Sequence, residues 1–129
     1  MLARRPMLVG FVTASVVGAA RAAQGDSKVM FIGGADCPFC QEWRKTRRDG
    51  WLASPEYKQV TYIEIESPNL KDAYRDQYWK PELRPLRDLL PQKSGTPRFA
   101  MVKNGKLVVN YVGHWDQVYK EVKVELQRG

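Results

Sequence analysis

The chain is poor in the side chains that most metal sites need: its 129 residues hold one histidine and two cysteines. A structural zinc site takes four nitrogen or sulfur ligands, and His114 with the two cysteines offers too few. Long hydrophobic runs are missing as well. The longest stretch without charge, Pro6 to Ala20, has 15 residues, short of the roughly 20 that a membrane-spanning helix requires. No internal repeat or low-complexity linker divides the chain, so its length suits one domain. Acidic residues are outnumbered, 14 against 21 basic ones, which raises the question of an acidic partner. The cluster Arg44, Lys45, Arg47 and Arg48 lacks interleaved aromatic residues on which bases could stack, so it reads as a solvated helix face and no nucleic-acid partner is expected.

Part of the basic excess belongs to the start of the chain. Arg4 and Arg5 precede the uncharged stretch, and Ala20-Arg21-Ala22 places small residues at the usual cleavage positions, so residues 1–22 read as a signal peptide and residues 23–129 as the mature domain. Losing the three leader arginines reduces the net charge from +7 to about +4. A periplasmic or secreted protein follows from this reading. In such a compartment disulfides form and persist, so a dithiol there must be kept reduced by a donor or serve as an oxidant.

Both cysteines sit in one short motif, Cys37-Pro38-Phe39-Cys40. With Cys37 at the first position of a helix, the two side chains share a face at about 5–6 Å between Cβ atoms. A disulfide needs about 3.5–4.5 Å, so a small adjustment closes it. Pro38 suits a first helical turn, where its missing N–H would have had no partner. The positive end of the helix dipole favours thiolate over thiol. A purely structural bridge is the weaker alternative, because closing so short a loop restricts the unfolded chain little.

Val29-Met30-Phe31-Ile32 reads as a buried strand ended by a Gly33-Gly34 turn. A helix is expected from Pro38 to about Ala53, broken near Asp49-Gly50. Val60 to Ile65 alternates with a period of two, as a strand does. Pro68, Pro81, Pro85 and Pro91 punctuate the next segment, where two short helices are expected near Leu70 to Tyr78 and Glu82 to Leu90. Arg98 to Val102 and Lys106 to Tyr111 flank Asn104-Gly105, a hairpin signal. Trp115, Val118, Tyr119, Val122 and Leu126 line one face of a final helix. The fold class is therefore α/β, in the order β-α-β-α-β-β-α, with helices flanking a mixed four-stranded sheet.

On two separated motifs, Cys37-Pro38-Phe39-Cys40 after the first strand and Gly95-Thr96-Pro97 before the hairpin, the chain resembles the thioredoxin-fold thiol-disulfide oxidoreductases. The resemblance covers most of residues 28–127 and implies a thioredoxin-like fold. It further implies that Cys37 is the attacking nucleophile, Cys40 the resolving thiol, and Pro97 a cis-proline that packs beside the dithiol and with Thr96 meets the substrate. The chain also departs from the pattern. Thioredoxins carry a buried acid six residues before the nucleophile, where this sequence has Phe31.

Asp36 beside the nucleophile would disfavour its thiolate, unless it faces water or caps the helix, and Arg98 could offset that charge near a substrate or equally point away. The lone His114 reads as structural or solvent-facing, and Tyr74, Tyr78 and Trp79 as core. Glu64 and Glu66 fit an exposed sheet face. The resulting expectation is an exported thiol-disulfide oxidoreductase that reduces protein disulfides. Its cofactor is only its own Cys37–Cys40 disulfide, and a membrane electron donor recharges it. The alternatives are an oxidase that donates its disulfide and, from another class, a two-sulfur metal-binding or chaperone module.

Overall fold

The computed structural model describes residues 26–128; the expected signal peptide lies outside them. Strand β1 (Ser27–Gly34) is followed by helix α1 (Pro38–Thr46), helix α2 (Arg48–Leu52) and strand β2 (Thr61–Ser67). After a proline-rich segment containing the short helix α3 (Arg84–Asp88) come strands β3 (Arg98–Lys103) and β4 (Lys106–Val112), and then helix α4 (Trp115–Arg128). The sheet order is β2-β1-β3-β4. Strand β1 runs parallel to β2 and antiparallel to β3, and β3 pairs antiparallel with β4. This is the mixed, helix-flanked sheet expected from the sequence.

Strand β1 is buried on both faces, which explains its unbroken apolar run. Val29 and Phe31 project toward α1, α2 and α4, joining Trp43, Trp51, Phe99, Val118 and Val122 in one core. Met30 and Ile32 project to the opposite side, against Ile65, Tyr74, Trp79, Leu90 and Ala100. The strand's two-residue period thus builds a core on each face of the sheet.

Three local expectations are corrected. The first helix breaks at Arg47, whose φ of −125° is not helical, rather than at Asp49-Gly50. Gly33 and Gly34 are not a turn but the last two residues of β1. A Cβ on Gly33 would lie 2.9 Å from Cys40 Sγ and one on Gly34 2.6 Å from Leu70 Cα, so close approach, not chain reversal, requires both. The proline-rich segment also differs from the expected helix pair. It forms 3-10 turns at Leu70–Asp72, Asp76–Tyr78 and Pro81–Leu83 ahead of α3.

Side chains replace the helical ladder in that segment. Trp79 Nε1 donates to Ala73 O at 2.8 Å, Arg84 Nε to Trp79 O at 3.1 Å, and Arg87 to Tyr74 O at 3.0 Å. In the 3-10 turns Tyr78 N and Leu83 N bond Arg75 O and Lys80 O, so the carbonyls of Tyr74 and Trp79, which those amides would meet in a helix, are satisfied by guanidinium groups instead. Trp79 and Tyr74 are core residues here, as their apolar character suggested.

The hairpin needs left-handed backbone at both turn residues, and Asn104 (φ 53°) and Gly105 (φ 78°) supply it. The basic cluster on α1 and α2 is met by acids: Arg44 pairs with Glu66, Arg48 with Glu64 at 2.5 Å, and Arg47 with Asp116 at 3.1 Å. Among the described residues, no helix is long and apolar enough to cross a membrane.

Candidate active site

Cys37 is the N-cap of α1, one position earlier than the sequence suggested, with Pro38 following as the first helical residue. Its extended backbone (φ −87°, ψ 115°) lets the sulfur turn back over the first helical turn and accept the Cys40 N–H at 3.2 Å. The sulfur therefore does what a serine or aspartate oxygen does at other helix starts. The Cys37 N–H is itself anchored to Gly34 O at 3.2 Å, so the end of β1 sets where the nucleophile stands.

A second donor arrives from far along the chain. Thr96 Oγ1 donates to Cys37 Sγ at 3.3 Å, across 59 positions of sequence. The Thr96–Pro97 peptide bond is cis, and Pro97 O accepts the Gly113 N–H at 2.8 Å. Gly113 (φ 76°) and His114 (φ 56°) carry the chain from β4 into α4 beside it. The sequence motif paired Thr96 and Pro97 with the substrate. The structure adds a bond from the threonine hydroxyl to the sulfur.

The two thiols are chemically unlike. Burial by itself would raise the pKa of Cys37, but the Cys40 thiol, the Thr96 hydroxyl and the N–H groups of Cys40 and Phe39 all donate to its sulfur and leave it below a free cysteine's value. Burial raises Cys40, and its bond to Cys37 raises it further, to about 11. Both residues are buried, Cys37 with 2% of its surface open and Cys40 with none. Phe31 is part of the reason, since its ring and Cys40 Sγ both crowd the space in front of Gly33. That ring stacks on Trp43 at 4.7 Å, so an aromatic wall stands where the resemblance would have placed an acid.

Beside the dithiol runs a groove of about 560 Å³, lined by Phe39, Trp43, Thr96, Pro97, Val112 and Trp115 among others. Phe39 is 74% exposed, an unusual position for a large apolar side chain and one the sequence alone did not single out. Its place between the two cysteines was the available signal. His114 is exposed at the groove's rim, in keeping with a solvent-facing residue.

Asp36 is exposed, one of the placements the sequence left open, and Arg98 points away from the dithiol instead of offsetting charge near a substrate. The Asp36 carboxylate accepts the Leu70 N–H at 2.7 Å, tying the loop after β1 to the first 3-10 turn of the proline-rich segment. The groups that shift Cys37 are its own burial and the donors on Cys40, Thr96 and Phe39. Arg98 does not face a substrate. The two-residue period of β3 sends the residue after Pro97 to the opposite side of the sheet, where Arg98 is 4% exposed and bonded to Tyr74, Asn110 and Ser94.

These shifts carry a direct expectation. Iodoacetamide added near neutral pH should label Cys37 and spare Cys40, because only the thiolate reacts and Cys40 holds its proton until about pH 11. The labelling rate should rise with pH as Cys37 ionises and level off above a midpoint lower than that of a free cysteine. Peptide mass mapping reads both. Equal labelling of the two positions would remove the assignment.

No family model and no curated protein matches the chain. Among solved structures it is similar to the thioredoxin of Fasciola hepatica, with a TM-score of 0.54 and 15% identity over 87% of this chain and 93% of that one. It is also similar to thioredoxin f from spinach chloroplast, with a TM-score of 0.52 and 16% identity over 83% of each chain. For the reduced periplasmic thioredoxin SoxS of Paracoccus pantotrophus the TM-score is 0.50 and the identity 13%, over 76% of this chain and 97% of that one. At such identities the likeness speaks of architecture, and with the strand order and helix placement above it establishes that the chain has the thioredoxin fold.

Proposed function

We propose that the protein is a thiol-disulfide oxidoreductase that reduces disulfides in exported proteins, with Cys37 as nucleophile and Cys40 as resolving thiol. The observation that carries this reading is the unequal pair of sulfurs at the head of α1. Both are buried; one is held as an acceptor by Cys40 N–H and Thr96 Oγ1 at 3.2 and 3.3 Å, and the other has its pKa pushed up to about 11.

The chemistry follows from that inequality. The Cys37 thiolate attacks one sulfur of a substrate disulfide, forming a mixed disulfide and expelling the other substrate sulfur as a thiolate. Cys40 then gives up its proton to that thiolate or to water, since Phe31 offers no acceptor. Its sulfur attacks Cys37, which releases the second substrate thiol and leaves the enzyme as a Cys37–Cys40 disulfide. Two electrons pass to the substrate. A dithiol donor, membrane-held if the chain is exported, returns them. The exposed Phe39 and the groove along Thr96 and Pro97 suit the flanks of a polypeptide better than a small polar disulfide.

Reduction is the direction proposed, with donation of the disulfide as the alternative. Strong oxidants also stabilise their reduced form through a lowered thiol pKa, so the direction rests on the resemblance of Thr96 and the Asn104-Gly105 hairpin to reductive members of the fold. Equilibrating the purified protein with graded glutathione buffers tests the direction. A potential near the thioredoxin value of about −270 mV is expected, and one near about −120 mV would instead make it a donor of disulfides. Export itself rests on the leader at residues 1–22 and is read by comparing the mature N-terminus with the full sequence.

A further inference from the structure

Arg98 is an unusual core residue. Its guanidinium is buried, and its partners are all neutral: Tyr74 Oη at 2.8 Å, the Asn110 side-chain oxygen, and Ser94 O at 2.6 Å. A buried charge is costly unless every donor is met, so the surroundings are fixed by it as firmly as it is by them. Tyr74 in turn donates from its hydroxyl to Gly95 O at 2.7 Å.

The two bonds therefore reach successive carbonyls, Ser94 O and Gly95 O, immediately before Thr96. On the other side of Thr96, Pro97 O takes the Gly113 N–H. Gly95 adds to the constraint, because its φ of +92° is open to glycine and its missing Cβ would meet Val112 at 2.9 Å. Thr96 is thus bracketed by bonded carbonyls on both sides while its hydroxyl touches Cys37 Sγ. Tyr74 is itself held from behind, by Arg87 on its carbonyl.

We propose that Arg98 and Tyr74, on the face of the sheet opposite the dithiol, are positioning residues that hold the Ser94–Gly95 loop so that the Thr96 hydroxyl stays directed at the Cys37 sulfur. The proposal rests on Cys37 being the nucleophile. It places part of the control of that thiol in a polar cluster it does not touch. The route runs through the loop, since the planar guanidinium fork holds Ser94 O and Tyr74 Oη together and Tyr74 holds Gly95 O.

Titration of the Cys37 thiolate by its far-ultraviolet absorbance tests this in the full chain, reduced and with both cysteines present. Tyr74→Phe removes one oxygen and no volume. Its midpoint should move upward, toward that of Thr96→Val, as should that of Arg98→Gln. In the double variant Tyr74→Phe with Thr96→Val, the midpoint should match Thr96→Val alone, because the second change has no hydroxyl left to misdirect.

The proposal is overturned if folded Tyr74→Phe titrates as the parent does, if Thr96→Val itself leaves the midpoint in place, or if the two shifts simply add. Circular dichroism establishes folding, and Tyr74→Phe decides the matter should Arg98→Gln not fold. The measurement needs no substrate. A protein that shows the coupling yet never reduces a disulfide would therefore overturn the proposed function and leave this inference standing.

Discussion

Cys37→Ser is expected to lower disulfide reduction by more than about 10³-fold, since a hydroxyl at this position cannot form the mixed disulfide on which both steps depend. Cys40→Ser should behave differently. It leaves the attacking sulfur and its Thr96 donor in place, so the first step proceeds and the second stops. Partner proteins should then accumulate on Cys37 as mixed disulfides, recoverable on non-reducing gels and released by added dithiol. The two variants together separate attack from resolution. A chain whose Cys37→Ser form still turns over an insulin disulfide at the parent rate would have to use another nucleophile, and the proposed function would be lost.

The largest expected effect on stability comes from a change of one methyl group. Gly34→Ala puts a Cβ 2.6 Å from Leu70 Cα and 2.7 Å from Leu70 N, contacts with backbone that cannot swing aside as a side chain can. Leu70 is held in place from two directions, through Asp36 on its N–H and through the Asn69 side chain capping the same turn at Lys71 N. Either β1 or that turn must shift, at a cost of about 2–4 kcal/mol. The fall in Tm should be on the order of 10–20 °C for a domain of this size.

Because Gly34 O also anchors the Cys37 N–H, activity in the folded fraction should fall with it. Gly50→Ala is the matched control. Its new Cβ meets nothing within 4 Å, and within α2 alanine should be neutral or stabilising by up to about 1 kcal/mol. Thermal unfolding of the two variants side by side measures the difference, and similar Tm values would show that the β1 to Leu70 contact is not tight.

Which parts of the molecule were legible in advance follows from the range of the forces involved. The dithiol was legible because Cys37, Pro38 and Cys40 lie within one helical turn. The hairpin was legible because Asn104 and Gly105 carry their left-handed preference in their own side chains. The final helix showed itself through the spacing of Val118, Val122 and Leu126. Signals of these kinds act over a few residues and need no partner elsewhere.

Where the sequence misled, the deciding contact lay outside the short stretch being read. Gly33 and Gly34 look like a turn until Cys40 and Leu70 are placed against them. Proline spacing suggested two helices, but Trp79, Arg84 and Arg87 satisfy the same carbonyls with side chains and make helix unnecessary. For Asp36 the sequence left open a charge beside Cys37, a cap or a solvent-facing residue, and could not show that the amide it binds is 34 positions away.

By itself, then, the sequence determined an α/β chain with two sulfurs at the head of a helix and a proline loop before a hairpin. Only the tertiary structure decided that β1 and β3 would be neighbours in the sheet. That adjacency brings Thr96 to the Cys37 sulfur and turns Arg98 to the far face. The reason is physical: local preferences choose each element, but which residues meet across a sheet depends on burying both faces of β1 at once, a condition no short stretch of sequence contains.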